Sequence, residues 1–548
     1  GKIPHARKPK TRPPDSFRDK LGFLHGTLPK YSGPYSVGIM DIEVPAENPR
    51  TFSHIKRHGQ HILKLETVLM AVYYPSAFGS GQGRDPAGYK HWSRETWLPR
   101  PRAKVAKGYG KFAGLGDVAI PWFAATTMLT KIPAYRNAKP ARHWPPCDNL
   151  QHGGPNVKNE SGPPPEGERE EPQFPLLIFS HGLGGNRTAY SSVCGEFASY
   201  GFVVCAIEHR DGSGPRTYVN HPPEGVGSME EREKHDHIDH SEKQHEKGYN
   251  KVDYIFPKYN PMDTSPNNDQ GVDRELRNAQ IHLRLAEIEE AYKVLCSISS
   301  GDGASVAARN LRRKGYIGSS SRGLEGVDWD GWKDRVHLTQ VTMVGHSFGA
   351  ATTVEMLRNA DRFQWCSQGI IYDIWGAAVK PAECSPHHRI HAPLLGINSE
   401  AFMYWPQNFE AVTSLINEAR DQGAPAWLLT VRGTVHISQS DFSILYPHVC
   451  SLLLKQTANP KRAMDLNINA SLEFLKLALP GSRSAIIDRT MTNEHLLQLP
   501  VLDGQLPDLH RPDDKWIAAR LKIPHEFRNR VTPSLARKVK RKMGEGEG

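Results

Sequence analysis

No run of eighteen or more apolar residues occurs anywhere in the 548-residue chain, which excludes a membrane-spanning helix. The first twenty residues are basic and broken by proline, so they lack the apolar core of a secretory signal. A cytoplasmic location with peripheral contact to membranes is therefore expected, and the opening Gly1 leaves secretion open. Cysteine is scarce and never paired: seven residues, at 147, 194, 205, 296, 366, 384 and 450, with no C-x-x-C. That usage fits reduced, mostly buried thiols and not a disulfide framework. A net basic charge is missing from the interior of the chain. The formal charge is +10, yet residues 1–20 and 528–548 each hold seven Lys/Arg against two acidic residues, so the two ends carry the whole excess. A nucleic-acid groove built into the core is excluded, and the tails read as solvated.

What is present is enough apolar material, 38% of residues, for one large domain with decorations. Residues 1–30 read as a basic tail, 31–478 as the catalytic domain and 479–548 as a helical extension with a basic end. Two β-rich runs, Tyr35–Val44 and Thr67–Tyr74, come first, and residues 145–173 form a Pro/Gly/Glu-rich surface loop. Short, fully apolar strands then alternate with helices: Pro175–Ser180, Ala189–Tyr200, Phe202–Glu208, and later Gln340–Val344, Phe348–Asn359, Gly369–Asp373, Pro393–Asn398 and Ala426–Val431. This rhythm predicts a mostly parallel central sheet covered on both faces. Ile281, Leu285, Ile288, Tyr292 and Leu295 mark a long amphipathic helix. Residues 212–270 have no period and read as a polar insertion, and residues 300–330 as a loop.

One strand ends in chemistry. Val341–Val344 runs into Gly345-His346-Ser347-Phe348-Gly349, the G-x-S-x-G of a nucleophile elbow, where a serine stands exposed on a tight strand-to-helix turn. A hydroxyl needs a base and oxyanion donors to act as a nucleophile. Asp373 closes the strand-like Gly369–Tyr372, and His436 follows Trp427–Val431 by a short glycine-containing loop, giving the order nucleophile, acid, base of an α/β-hydrolase. Asp441 and His448 are the reserve candidates. Upstream, Ser180-His181-Gly182-Leu183-Gly184-Gly185 follows Leu176–Phe179, and glycines at 182 and 184 let the backbone approach a ligand. The N–H groups of Leu183 and Phe348 are the expected oxyanion donors.

These residues resemble the plasma and type II platelet-activating-factor acetylhydrolases, group VII phospholipase A2-type serine esterases. The likeness rests on Gly33–Gly38, Val72–Ser76, Phe179–Gly184 with Arg187-Thr188 and Tyr190-Ser191, Glu208–Asp211, Gly345–Gly349, Asp373–Trp375, Val435-His436 with Ser440–Phe442, and Asn469–Leu472. It implies an α/β-hydrolase fold, a triad of Ser347, Asp373 and His436, and calcium-independent hydrolysis of a short or oxidised sn-2 acyl chain from a phospholipid. It implies no cofactor. Ala350 stands where a further glycine is common, and the insertion and the C-terminal extension have no evident counterpart. A general carboxylesterase or lipase, and a non-catalytic binding scaffold on the same fold, are the alternatives.

Two further features are weighed. His235, His237, His240 and His245, interleaved with acids, read as part of a solvated insertion and not as metal ligands. The stretch containing Trp122, Phe123, Met128 and Leu129, flanked by lysines, reads equally as core packing or as a segment dipping into lipid headgroups. The oligomeric state is left open.

Overall fold

A computed structural model describes residues 26–77, 94–147, 161–319, 322–491 and 493–500. The two basic ends and the fragment 513–521 lie outside the described residues. Ten strands form one sheet: β1 (Ser36–Thr51), β2 (Lys64–Ser76), β3 (Arg94–Thr96), β4 (Lys131–Arg136), β5 (Phe174–Ser180), β6 (Val203–Glu208), and, after the short pair β7 (Arg216–Asn220) and β8 (Tyr249–Asp253), β9 (Val336–His346), β10 (Cys366–Tyr372), β11 (Leu394–Ser399) and β12 (Ala426–Val431). Their order is β12-β11-β10-β9-β5-β6-β2-β1-β4-β3. From β6 to β12 every pairing is parallel, whereas β2 runs antiparallel to both β6 and β1. Strand β5 is buried along its whole length and β9 over its last six residues, as a sheet covered on both faces requires.

The chain builds outward in one direction from β5 to β6 and in the other from β9 to β12. The carboxyl ends of β5 and β9 therefore flank a topological switch point, where loops diverge and leave a crevice. Gly345 pairs with Ser180 on one side and Ile371 on the other, which sets the Ser180–Gly185 loop, the turn after His346 and Asp373 side by side.

Helix α1 (Arg102–Ala113) and helix α2 (Ala119–Thr126) sit above that crevice; α3 (Ser191–Ser199), α4 (Arg274–Ser297), α5 (Phe348–Arg358) and α6 (Pro406–Asp421) cover the sheet; α7 (Pro447–Leu454), α8 (Pro460–Ala478) and α9 (Gly481–Thr490) close the chain. In α4, Ile281, Leu285, Ile288 and Leu295 are buried, while Tyr292 stacks on Trp365 at 3.9 Å.

Three regions differ from the expectation. The insertion at 212–270 is folded: β7 pairs with β8, and Arg216, Thr217, Asn220, His221, Arg232, Asn250 and Asp263 are buried. Buried charges of the insertion are paired, as in Arg216 with Asp253 at 2.6 Å and Asp263 with Arg277 of α4 at 2.9 Å, so a hydropathy pattern counts as solvent-facing what pairing has made internal. Residues 300–330 contain a helix at Gly303–Arg309. Past residue 478, Ile486 and Ile487 of α9 are buried, and Glu494 receives Arg462 at 2.6 Å. The packed body thus continues to about residue 500.

Candidate active site

The turn after β9 is strained. Ser347 has φ 58° and ψ −115°, a conformation that costs on the order of 1–3 kcal/mol and persists only where surroundings impose it. Two glycines impose it here. A Cβ on Gly345 would lie 2.0 Å from the Gly349 carbonyl oxygen, and one on Gly349 1.9 Å from that of Ser180, so β9, α5 and β5 approach to distances only glycine allows. The turn delivers the Ser347 hydroxyl to the crevice.

There His436 Nε2 lies 2.9 Å from Ser347 Oγ, and His436 Nδ1 lies 2.7 Å from Asp373 Oδ2. Asp373 is fully buried and accepts from the backbone N–H and the hydroxyl of Ser399, both at 2.7 Å. The imidazole of His436 is sandwiched between Phe402, parallel at 4.1 Å, and His346 at 4.6 Å, which holds its ring plane. His346 in turn reaches the His436 carbonyl through Nε2 at 2.9 Å and the Tyr190 hydroxyl through Nδ1 at 2.7 Å. Burial, with His436 beside it, holds His346 well below the usual imidazole range, so it is neutral. Its Nε2–H then donates to the carbonyl and its Nδ1 accepts from Tyr190, whose oxygen accepts the Gly182 N–H at 3.2 Å. One chain of hydrogen bonds thus ties His436 to the Ser180–Gly185 loop.

The reserve residues sit elsewhere. Asp441 accepts from the N–H groups of Ser191 and Ser192, at 2.9 and 2.8 Å, and from Trp97 Nε1 at 3.0 Å, which caps the start of α3. His448 is exposed on α7. Ser399 and Phe402 were not singled out in the sequence, and His346 and Tyr190 stood there only within motifs with no role assigned, since each acts through contacts made across the chain.

Leu183 and Phe348 lie on either side of Ser347, and neither N–H donates to a protein acceptor among the described residues. Phe348 opens α5, so its N–H is an orphan donor of the first turn. The loop bearing Leu183 is held from below. Arg284 Nη1 donates to the His181 carbonyl at 2.8 Å and its Nε to Asp211 at 2.6 Å, while its guanidinium lies 4.4 Å from the Phe348 ring. His209 donates its backbone N–H to His181 Nε2 at 3.0 Å, and its ring bridges Ser180 Oγ at 2.7 Å and Glu287 Oε2 at 2.5 Å.

Burial, helped by the nearby Asp211, pushes Glu287 up to about 8. Burial also holds His209 well below its ordinary range, so the pair is neutral, with the carboxyl O–H donating to Nδ1. A carboxyl with a raised folded pKa contributes stability that is fully present below its unfolded pKa and lost as pH rises through the folded one. The expected result is a Tm that falls by several degrees between about pH 5 and pH 9. Glu287→Gln keeps both hydrogen bonds, accepting from the Arg210 N–H and donating to His209, and should flatten that slope. Thermal unfolding across the pH range measures it; parallel slopes in the two proteins would refute the assignment.

The crevice opens into a cavity of about 270 Å³ lined by Tyr109, Phe112, Phe123, Trp375 and Phe402 beside Ser347, His436, Leu183 and Gly184. Trp122 stands at its rim, half exposed. Of the residues expected at a lipid surface, Trp122 and Leu129 are exposed. Phe123 is 6% exposed and packs on Tyr109 at 5.3 Å, and Met128 is half-buried; in both cases the side chain is drawn inward by the aromatic cavity wall and the core. Among the described residues no helix is long and apolar enough to cross a membrane.

The sheet with its switch-point crevice, the strained serine turn and the hydrogen-bonded Ser347, His436 and Asp373 define a serine hydrolase of the α/β-hydrolase class. Comparison with known proteins narrows this. The family model of platelet-activating factor acetylhydrolase, isoform II, matches residues 163–483, and the chain belongs to that family. It is 32% identical over 319 residues to the platelet-activating factor acetylhydrolase of Gallus gallus, covering 57% of this chain and 63% of that protein. It is 30% identical over 455 residues to that of Bos taurus, covering 82% and 76%. Among solved structures it is similar to a ferulic acid esterase from Streptomyces cinnamoneus, at 15% identity and a TM-score of 0.44, covering 90% and 98%.

Proposed function

We propose that the chain is a phospholipid esterase that removes a short or oxidised acyl group from the sn-2 position, through an acyl-enzyme and without calcium. The observation that carries this reading is the continuous chain from Ser347 through His436 to Asp373, opening into a small aromatic cavity. At about 270 Å³, the cavity falls at or below the low end of small-molecule sites, which suits a short acyl group with the rest of the lipid outside.

In this reading Ser347 Oγ attacks the ester carbonyl carbon as its proton passes to His436 Nε2, and the negative oxygen is received by the Leu183 and Phe348 N–H groups. His436, its imidazolium stabilised by Asp373, then protonates the departing sn-2 oxygen, releasing lysophospholipid. Water, giving its proton to His436, attacks the acyl-serine, and His436 returns that proton to Ser347 Oγ as the bond to the acyl group breaks and the product acid leaves, ionising to the carboxylate. The residues named supply every proton transfer, so turnover should be the same with and without added calcium. Hydrolysis of phosphatidylcholines bearing sn-2 acetyl or sn-2 palmitoyl tests the substrate. A preference for acetyl of at least about 10²-fold in kcat/KM, some 3 kcal/mol of transition-state discrimination, is expected; equal rates would favour a general lipase.

The rim supports contact with a lipid surface. Leu115, Val118, Trp122, Leu129, Leu452 and Leu453 are large apolar residues that are exposed, and they come from the segments around α2 and from α7, which flank the cavity. Val118→Ser with Leu129→Ser should weaken liposome binding roughly 10–100-fold, at about 1 kcal/mol or more for each side chain, with hydrolysis of a soluble ester unchanged. Unchanged co-sedimentation with liposomes would remove this surface.

A further inference from the structure

The folded insertion meets the sheet through a cluster of side chains that the esterase chemistry does not use. Glu66, the third residue of β2, is buried, and two histidines from the insertion converge on its Oε1: His240 Nε2 at 2.5 Å and His221 Nε2 at 3.4 Å. The three ligating atoms lie within 4.8 Å of one another, and all three side chains are at most 1% exposed.

Each imidazole is held in the same sense. His221 Nδ1 lies 3.0 Å from the Gly227 carbonyl and His240 Nδ1 lies 2.9 Å from the Glu233 carboxylate. Acceptors at both Nδ1 positions keep the proton there and turn both Nε2 atoms toward Glu66, the arrangement that outer-shell partners impose on metal-binding histidines. The cluster also contains polar atoms left over. His221 Nε2 and Asn250 Oδ1 are buried and have no hydrogen-bond partner among the described residues, although the Asn250 amide nitrogen donates to Glu66 Oε2 at 2.9 Å. A buried nitrogen lone pair without a donor is costly, and a cation at this point would satisfy it. The nearest lysine, Lys64, is paired with Asp239 at 3.6 Å.

We propose that Glu66, His221 and His240 bind a divalent transition metal ion, Zn²⁺ by their donor set, which clamps the insertion onto the sheet. Two neutral imidazoles and one carboxylate are ligands of the Zn²⁺ type, with a fourth position for Asn250 Oδ1 or water. Binding displaces the proton that bridges His240 and Glu66, and their 2.5 Å separation opens by under about 1 Å to admit ligand bonds of roughly 2 Å. Glu233 and His245, paired at 2.7 Å and partly exposed, lead in from solvent. The clamp has a consequence at a distance. Strand β8 carries Asn250 and ends beside Tyr254, whose ring packs on Phe112 at 4.8 Å, and Phe112 is a wall of the substrate cavity.

The test uses the full chain. Elemental analysis of protein purified without chelator should find about one Zn²⁺ per chain. Stripping with 1,10-phenanthroline should lower Tm, added Zn²⁺ should restore it, and Co²⁺ should give the visible absorption of a tetrahedral site. Glu233→Gln should weaken Zn²⁺ affinity roughly 10–100-fold, and His221→Phe with His240→Leu should abolish binding. Zn²⁺ that neither co-purifies nor shifts Tm on titration into the wild-type chain would overturn the proposal, as would full binding by the double variant. If that variant fails to fold, the wild-type titration and the Co²⁺ spectrum decide.

Discussion

Replacing Ser347 by alanine is expected to lower kcat by about 10⁶-fold while leaving Tm within a degree or two, the loss seen when a comparable nucleophile is removed. The side chain lost is one hydroxyl, 6% exposed, whose bond to His436 Nε2 at 2.9 Å serves the reaction. Backbone strain at this residue, φ 58°, is set by the surrounding glycines and persists in the variant. The residual rate should still exceed that of water by roughly 10³–10⁴, because the Leu183 and Phe348 N–H groups remain. Asp373→Asn should cost about 10⁴-fold, since the amide favours the wrong tautomer of His436. Hydrolysis of a short-chain ester and labelling by a fluorophosphonate probe measure both changes. Equal labelling of wild type and Ser347→Ala would sink the reading of this site as an esterase.

Arg284→Met carries the second large effect, on stability. Arg284 and Asp211 are both fully shielded from solvent and meet at 2.6 Å. Removing the guanidinium leaves Asp211 as a buried carboxylate without its counter-ion, with Ser213 alone among the described residues still donating to it. Breaking such a pair costs about 3–5 kcal/mol. Denaturant unfolding should show a loss of that size, and kcat should fall as well, because the Nη1 bond to the His181 carbonyl positions the loop that bears Leu183. Adding Asp211→Asn to Arg284→Met should recover part of the stability but none of that loop contact. A loss under about 1 kcal/mol would mean that water, and not Arg284, solvates Asp211.

How much of this was legible beforehand depends on how local each signal is. The apolar runs of β5, β6, β9, β10 and β11 are visible because a strand buried on both faces needs apolar residues in succession. The α4 stripe is visible for the same kind of reason, since spacing alone sets one face of a helix. The insertion at 212–270 was read as solvated because many of its buried residues are Arg, Asp, His, Asn, Ser and Thr, and a polar residue signals burial only when its partner is known. Arg216 finds Asp253 37 residues away, and His240 finds Glu66 174 residues away. The segment Gly481–Thr490 lies in the expected helical extension, but its packing on the body escaped for another reason: its two buried isoleucines are adjacent, which gives no period to detect.

The candidate site divides along the same line. Sequence by itself determined the elbow at Ser347 and the glycine-rich loop at Gly182, because a strained turn and a close backbone approach demand particular residues in immediate succession. It also determined the chain order in which an acid and a histidine follow. Only the tertiary structure decided which side chains stand behind those residues: Ser399 on Asp373, Phe402 and His346 on either face of His436, Arg284 and His209 beneath the Ser180–Gly185 loop, and Glu66 between His221 and His240. These contacts join distant segments, and their strength comes from burial in a low-dielectric interior that exists only once the chain has folded.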